Sequence, residues 1–550
     1  MHIRYGSRHL RSILGLGLMV LVLGPSTSAS AQSPEFDLVI QAGQIVDGSG
    51  NPWFVGDVGI KGDTIVAVAP HVEPGRARVI DARGLVVAPG FIDVHSHSES
   101  SPAGQGLAAN PLAENNVRQG VTTVFANPDG MGEVPIVPLL QGVAAARPTI
   151  NLGAFIGHGS IRAKVMGRAN RVATNAELDQ MRGLARSGME DGAFGLSTGL
   201  FYVPGNYAPT SEVIELAAVV GRYGGIHQSH MRDEATHVLD SVRETIAIGE
   251  QGNLPTQITH HKIVGKANWG RSVETLRTVD EARARGVDVT IDQYSYTASS
   301  TSLDAGLIPQ WAQEGGRAQM LARLKDPETG PRARAAIIDL IENERGGGDP
   351  ANVMLTSCDF DRTLAGKNLA EILRTRGTSV TSSTAADLVI EIVGKGACQA
   401  VFHAISEDDL VRILRHPATM IASDAFPGEP EFGRDVPHPR AYGTFARVLA
   451  VYVREQRVLS LEDAVRKMSS LPAARMRLAD RGLLRPGLKA DVVIFDRATI
   501  KDLATFERPH QYATGVHSVV VNGEVVLDRA RMTGARPGRV LRGPGYRSAP

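Results

Sequence analysis

Cysteine is nearly missing from this 550-residue chain, which holds only Cys358 and Cys398. Two are too few for a disulfide framework; they can pair in an oxidising compartment, but the expected state is two separate buried thiols. An excess of either charge is missing too. Lysine plus arginine and aspartate plus glutamate both number 58. With no basic surplus to neutralise phosphates, nucleic acid is excluded as the main partner. Long apolar runs are also absent beyond the first thirty residues. That excludes a later transmembrane helix, and the mature protein is expected to be soluble.

The N-terminal apolar run, from Ile13 to Leu23, is too short to span a bilayer. Arg4, Arg8 and Arg11 precede it, no acid occurs before Glu35, and Ala29-Ser30-Ala31 follows. This order describes a secretory signal over residues 1–31, cleaved before Gln32, with an uncleaved N-terminal anchor as the alternative. The expected location is therefore the periplasm or the medium. Removing that segment takes away three arginines and no acid, so the formal net charge of 0 becomes −3. What remains can form one large domain and a smaller one.

Residues 32–87 carry short runs rich in branched residues, such as Phe36–Ile40, Val58–Ile60 and Thr64–Val68, separated by Gly, Asn and Asp turn signals. The same character returns within 483–535, in Ala490–Phe495 and Val516–Val521. One small β-sandwich domain built from both termini is expected. Between them, residues 88–482 alternate strand-like runs with amphipathic stretches such as Ser211–Tyr223, Leu239–Gln251 and Ser272–Arg285. That alternation predicts an α/β fold, a closed (β/α)8 TIM-like barrel. Residues 303–347 are polar and helical in pattern and read as an insertion. Residues 536–550, rich in Gly, Pro and Arg, read as an irregular tail.

Chemistry concentrates at predicted strand ends. Gly90-Phe91-Ile92-Asp93-Val94-His95-Ser96-His97 closes an apolar run, and residues two apart on a strand share a face. His95 and His97 can thus converge on one ion of a kind that imidazole suits, such as zinc. His230 closes Gly225–Ser229, His260 closes Thr256–Thr259, and Asp424 follows Met420–Ser423. Barrel enzymes place their catalysis at such C-terminal strand ends. Of the doublet His260-His261, alternation pairs His260 with Lys262 and sends His261 outward, provided that the strand continues through Lys262.

The chain resembles the N-acyl-D-amino-acid deacylases, or D-aminoacylases, of the amidohydrolase superfamily. The resemblance spans nearly the whole mature chain. It rests on Gly90–His97, Gly120–Val124, Gly157-His158-Gly159, Gly195–Leu200, Ser229–Glu234, His260-His261-Lys262, Asn268-Trp269-Gly270, Asp292–Tyr296, Ser423-Asp424 and His438-Pro439-Arg440. It implies zinc-dependent removal of the acyl group from N-acyl-D-amino acids, with one or two Zn2+ ions. One departure stands out. The family places a cysteine ligand shortly after the Gly-Val-Thr-Thr-Val strand, and here Asp129 occupies that place. Asp129 is read as a ligand, against the alternative of a turn residue before Gly130.

The implied roles follow. His95, His97, Asp129, His230, His260 and Asp424 form the metal set. Zinc held by His230, His260 and Asp129 would activate a water, and Asp424 would accept its proton and pass it to the leaving amine. Lys262, Tyr294, Ser300 and Arg440 would clamp the substrate carboxylate. His158 is given no role. The alternatives are a dipeptidase for a C-terminal D-residue, a cyclic-amide hydrolase, and a periplasmic ligand-binding protein on a disabled scaffold.

Overall fold

The computed structural model describes residues 35–99, 106–428 and 435–547, so the expected signal segment lies outside the described residues. Eight parallel strands occur in chain order among them: Phe91–Asp93, Val121–Ala126, Asn151–Ala154 continued by Ile156–Gly157, Gly195–Gly199, Ile226–His230, Thr256–Ile258, Val289–Gln293 and Thr419–Ile421. The last meets the first just beyond their ends. There Ser96 bridges Ala425 in parallel, His97 N donates to Ala425 O at 2.8 Å and Asp424 N donates to His95 O at 2.9 Å. The circle closes, and the fold is the expected α/β barrel of eight parallel strands. Its closing seam joins two of the segments that carry candidate ligands.

The amphipathic stretches become the helices Thr210–Arg222, Val238–Gly252 and Ser272–Ala284 between successive strands. Each turns a spaced apolar stripe toward the strands, as with Val242 and Ile246 beside Ile258, Leu276 and Val279. Burying each such side chain contributes about 1.5–3 kcal/mol.

The terminal segments meet in one sheet. Val86–Pro89 pairs antiparallel with Val492–Phe495, joining five N-terminal strands to four C-terminal ones in a nine-stranded sheet. Ile40, Ile45, Val58, Val87, Ile494 and Val520 fill its core. Val86–Pro89 then runs almost directly into the first barrel strand. The sheet thereby anchors the segment that carries His95 and His97. Residues 536–547 are irregular but pinned, with Leu541 N donating to Leu152 O and Gly543 N to Gly192 O.

The excursion between the last two barrel strands is larger than 303–347. Ser299–Ser302, Val353–Cys358 and Cys398–Phe402 form a three-stranded antiparallel sheet, covered by helices that include Thr329–Asn343 and Ser382–Lys395. It has its own core around Leu303, Ile337, Leu355 and Phe402. Its strands and helices alternate much as barrel units do, and periodicity does not separate the two. The expectation of separate thiols is overturned here. Cys358 and Cys398 are register partners on neighbouring strands and form a disulfide. Cysteine count alone carries no register information. No helix of the described residues is long and apolar enough to cross a membrane.

Candidate metal centre

His230 ends its barrel strand, the other candidate ligands lie just beyond theirs, and three of the positions are unusual. His260, Asp129 and Asp424 have φ of 33°, 56° and 52°, the left-handed region that side chains other than glycine seldom adopt. Such conformations cost on the order of 1–3 kcal/mol and persist when surrounding bonds fix them. Buried carboxylates supply those bonds. Asp292 Oδ1 accepts from His260 N at 2.7 Å. Asp93 Oδ1 accepts from Ser423 N at 3.0 Å and His95 N at 3.2 Å. Asp93 and Asp292 lie inside the sequence motifs, yet their task is to hold backbone.

The turn at His260 also decides the doublet. The strand ends at Ile258, which faces the outer helices, so simple alternation would send His260 outward. The left-handed residue reverses this. His260 enters the cluster, and His261 Nε2 packs outward on Thr275 Oγ1 at 2.8 Å. The condition that the strand continue through Lys262 is not met, and the turn replaces it.

Asp129 is seated by backbone contact. Ser197 Oγ donates to Asn127 O at 2.7 Å, and Gly130 N donates to Ser197 Oγ at 3.2 Å. A Cβ at Gly199 would stand 2.0 Å from the Asp129 carbonyl oxygen. The loop therefore lies flat on Gly195–Gly199, and glycine is required there.

The ligating atoms form two groups that share Asp129: His95, His97, Asp129 and Asp424 in one, and Asp129, His230 and His260 in the other. Asp129 Oδ1 faces His95 Nε2, His260 Nε2 and His230 Nδ1 at 3.3, 3.4 and 3.5 Å, while Oδ2 faces His97 Nε2 at 3.5 Å. Asp424 Oδ1 lies 3.2 Å from His97 Nε2 and 3.5 Å from His95 Nε2.

Buried polar atoms nearly always have partners. Here both ring nitrogens of His95 and of His230, and Oδ1 of Asp129, make no hydrogen bond. Three of these atoms, His95 Nε2, His230 Nδ1 and Asp129 Oδ1, face one another, and such a convergence of imidazole and carboxylate fits a divalent ion such as zinc. The field agrees. Burial pushes Asp129 up, but His95, His230 and His260 outweigh it and hold the carboxyl well below the usual range. Burial is likewise outweighed at Asp424, by Arg440, His260, His95 and His97. Burial drives His230 down to about 4, leaving it neutral and available as a ligand at pH 7.

Around the cluster, Glu234 Oε1 lies 3.1 Å from His260 Nδ1 and accepts from Lys262 Nζ. Glu99 Oε1 pairs with His97 Nδ1 at 3.0 Å. Partners of this kind orient ligand imidazoles, and sequence reasoning assigned neither. Glu234 stands four residues after His230 in a motif already singled out, and its spacing was the available signal. Arg440 Nη1 donates to Asp424 Oδ2 at 2.7 Å, and its guanidinium lies 5.0 Å from the Tyr294 ring. Lys262 Nζ lies 5.7 Å from the same ring, and the Tyr294 hydroxyl has no partner.

Tyr202, also unassigned from sequence, packs edge-on to His230 with ring centroids 4.7 Å apart and sets its hydroxyl 3.2 Å from Thr301 Oγ1. Ser299 bonds Arg345 on the same strand, and half-buried Ser300 lies between Ser299 and Thr301. His158 Nε2 pairs instead with Glu212 Oε1 at 3.0 Å.

Residues 78–527 match the model of the amidohydrolase family. The chain is 36% identical to a D-aminoacylase from Alcaligenes xylosoxydans xylosoxydans, over 93% of this chain and 99% of that one. A solved D-aminoacylase, described with a binuclear metal centre that shows one-metal activation and second-metal attenuation, superposes with a TM-score of 0.77 at 35% identity. The match covers 92% of this chain and all of that one. An N-acyl-D-glutamate deacylase from Bordetella bronchiseptica, solved with zinc and a phosphonate mimic of the tetrahedral intermediate, gives 0.76 at 33% identity, over 92% and 100% of the two chains. Sequence, fold and donor set agree, and the chain belongs to the D-aminoacylase, or N-acyl-D-amino-acid deacylase, family of amidohydrolases.

Proposed function

We propose that this enzyme hydrolyses the linear amide of N-acyl-D-amino acids, releasing a carboxylate and a free D-amino acid, with zinc as its metal. The observation that carries the substrate reading is the buried, unpartnered Tyr294 hydroxyl beside two cations, Lys262 and Arg440. A phenol in that setting is completed by an external carboxylate, such as the α-carboxylate of the substrate. The activities of these relatives supply the D-configuration and the N-acyl group.

His230, His260 and Asp129 would hold one ion, and His95, His97 and Asp424 would join Asp129 in holding a second. When bound, the metal supplies Lewis acidity toward the scissile carbonyl and makes water acidic enough to attack near neutral pH. Asp424 faces this centre through Oδ1 and is steadied by Arg440 through Oδ2. It accepts the proton of the attacking water and delivers it to the amide nitrogen, which leaves poorly unprotonated. Lys262, Tyr294 and Arg440, with Ser300 on the adjoining strand, hold the carboxylate.

Export fits the same reading. The signal pattern in residues 1–31 and the Cys358–Cys398 bridge both suit an oxidising compartment.

The test is turnover of paired N-acetyl-D- and N-acetyl-L-amino acids by metal-analysed protein. The expected result is hydrolysis of the D-series, lost on chelation and restored by zinc. Equal turnover of both hands, activity confined to cyclic amides, or full activity after complete metal removal would overturn the proposal.

A further inference from the structure

The barrel supplies the candidate metal ligands, yet one buried cation beside them comes from the insertion. Arg345 follows the helix Thr329–Asn343 and is 4% exposed. Its Nη2 donates to Glu234 Oε2 at 3.0 Å and its Nη1 to Ser299 Oγ at 3.2 Å. Its guanidinium lies 4.4 Å from the Phe201 ring, which stacks on His230 at 5.5 Å. We propose that Arg345 is a positioning residue that acts through Glu234, fixing how His260 presents itself to the metal and where Lys262 points. This rests on the metal and carboxylate-clamp reading above.

The need for such a residue lies at His260 Nδ1. Two groups of opposite sense compete for it: the acceptor Glu234 Oε1 at 3.1 Å and the donor Lys262 Nζ at 2.7 Å. His260 Nε2 faces Asp129, and it offers a lone pair to an ion only when the ring proton sits on Nδ1. Glu234 must then prevail at Nδ1. Arg345 occupies Oε2, which fixes the carboxylate plane and leaves Oε1 for His260 and Lys262. It also shares the charge of Glu234, so that Lys262 is not its sole counter-ion. Without Arg345, the carboxylate turns toward Lys262. His260 then loses its acceptor, and Lys262 is drawn away from Tyr294. One guanidinium thereby serves a metal ligand and the clamp together.

A bracing residue would matter only for stability, so the test reads the site directly. Zinc affinity of the full mature protein is measured by competition with a chromophoric chelator, without substrate. Arg345→Met is expected to weaken zinc about tenfold, the lower end for loss of a partner behind a ligand. KM for an N-acetyl-D-amino acid should rise more than kcat falls. Arg345→Lys should recover part of both.

In a cycle with Glu234→Gln, adding Arg345→Met should cost zinc affinity little further, because both act through one carboxylate. Wild-type zinc affinity in folded Arg345→Met, or additive losses in the cycle, would overturn the proposal. Should Arg345→Met not fold, Arg345→Gln replaces it in the cycle under the same two criteria. Zinc binding by the wild-type protein tests the metal reading on its own, and an error in the substrate assignment leaves the affinity comparison intact.

Discussion

On one side of Asp129 stand His230 and His260, 4% and 1% exposed and backed by Glu234 with its two cations. On the other stand His95, His97 and Asp424, where the His97 side chain is 28% exposed and its partner Glu99 is 19% exposed. Asp424 also divides its oxygens between the histidines and Arg440. On the proposed reading the buried side keeps an ion, since both imidazoles are dehydrated and Glu234 orients His260. The same reading has the open side exchange protons and meet substrate. Among the described residues Asp129 is the group common to both, its Oδ1 facing His95, His230 and His260 and its Oδ2 facing His97.

That division is most directly broken at Asp129. Asp129→Ala is expected to empty both sides and abolish turnover, whereas His97→Ala should release only the weaker ion and His230→Ala the tighter one. Metal analysis after dialysis at graded zinc concentrations reads this out. Unchanged metal content in Asp129→Asn would leave Asp129 a turn residue.

Next in size is Asp424→Asn. The buried side is untouched, so the tighter ion should stay bound while turnover falls about 10²–10⁴-fold, the usual contribution of a general acid–base group. Wild-type kcat in the metal-loaded variant would remove Asp424 from that role. Smaller again is the clamp. Arg440→Ala and Lys262→Ala should lower turnover of every substrate, since Arg440 also holds Asp424 and Lys262 also meets Glu234 and His260. Each should cost roughly 1.5–3 kcal/mol more on substrates with a free α-carboxylate than on their amide analogues. Steady-state kcat/KM on matched pairs gives the difference, and equal losses would show that neither residue reads the carboxylate.

The open side was the more legible in sequence. His95-x-His97 announces itself through strand periodicity, and Asp424 through its place after an apolar run, because a barrel puts chemistry where strands end. On the buried side, His260 enters the cluster through a left-handed turn that no pattern of residue types encodes. Glu234 is braced from 111 residues away by a segment that reads only as polar helix. The barrel and the sheet from both termini followed from periodicity. The true extent of the insertion and its disulfide depend on antiparallel pairing between strands 40 residues apart in their cysteines, which local patterns do not register.

The smallest expected effect concerns the joint that braces the buried side. Beside the attraction of Glu234 and Arg345, this joint holds a repulsion between their chain neighbours. Burial raises Glu344, and Asp233 raises it further, from 4.5 to about 7. Asp233 is itself committed, accepting from Ala235 N and His237 N at 2.8 Å. A carboxyl whose folded value is raised binds a proton that the unfolded chain has already released between those limits. Its contribution to stability is complete below about pH 4.5, declines as pH rises and is gone above about 7. Glu344→Gln removes that slope. Because Glu344 is half-buried and solvent screens it, the gain at pH 8 should be only about 1 kcal/mol, with almost none at pH 5. In a chain of this size that raises Tm by on the order of 1–2 °C at the higher pH. Thermal melts of wild type and variant across pH 5–8 should diverge upward, and parallel curves would mean that Asp233 and Glu344 do not oppose each other across the joint.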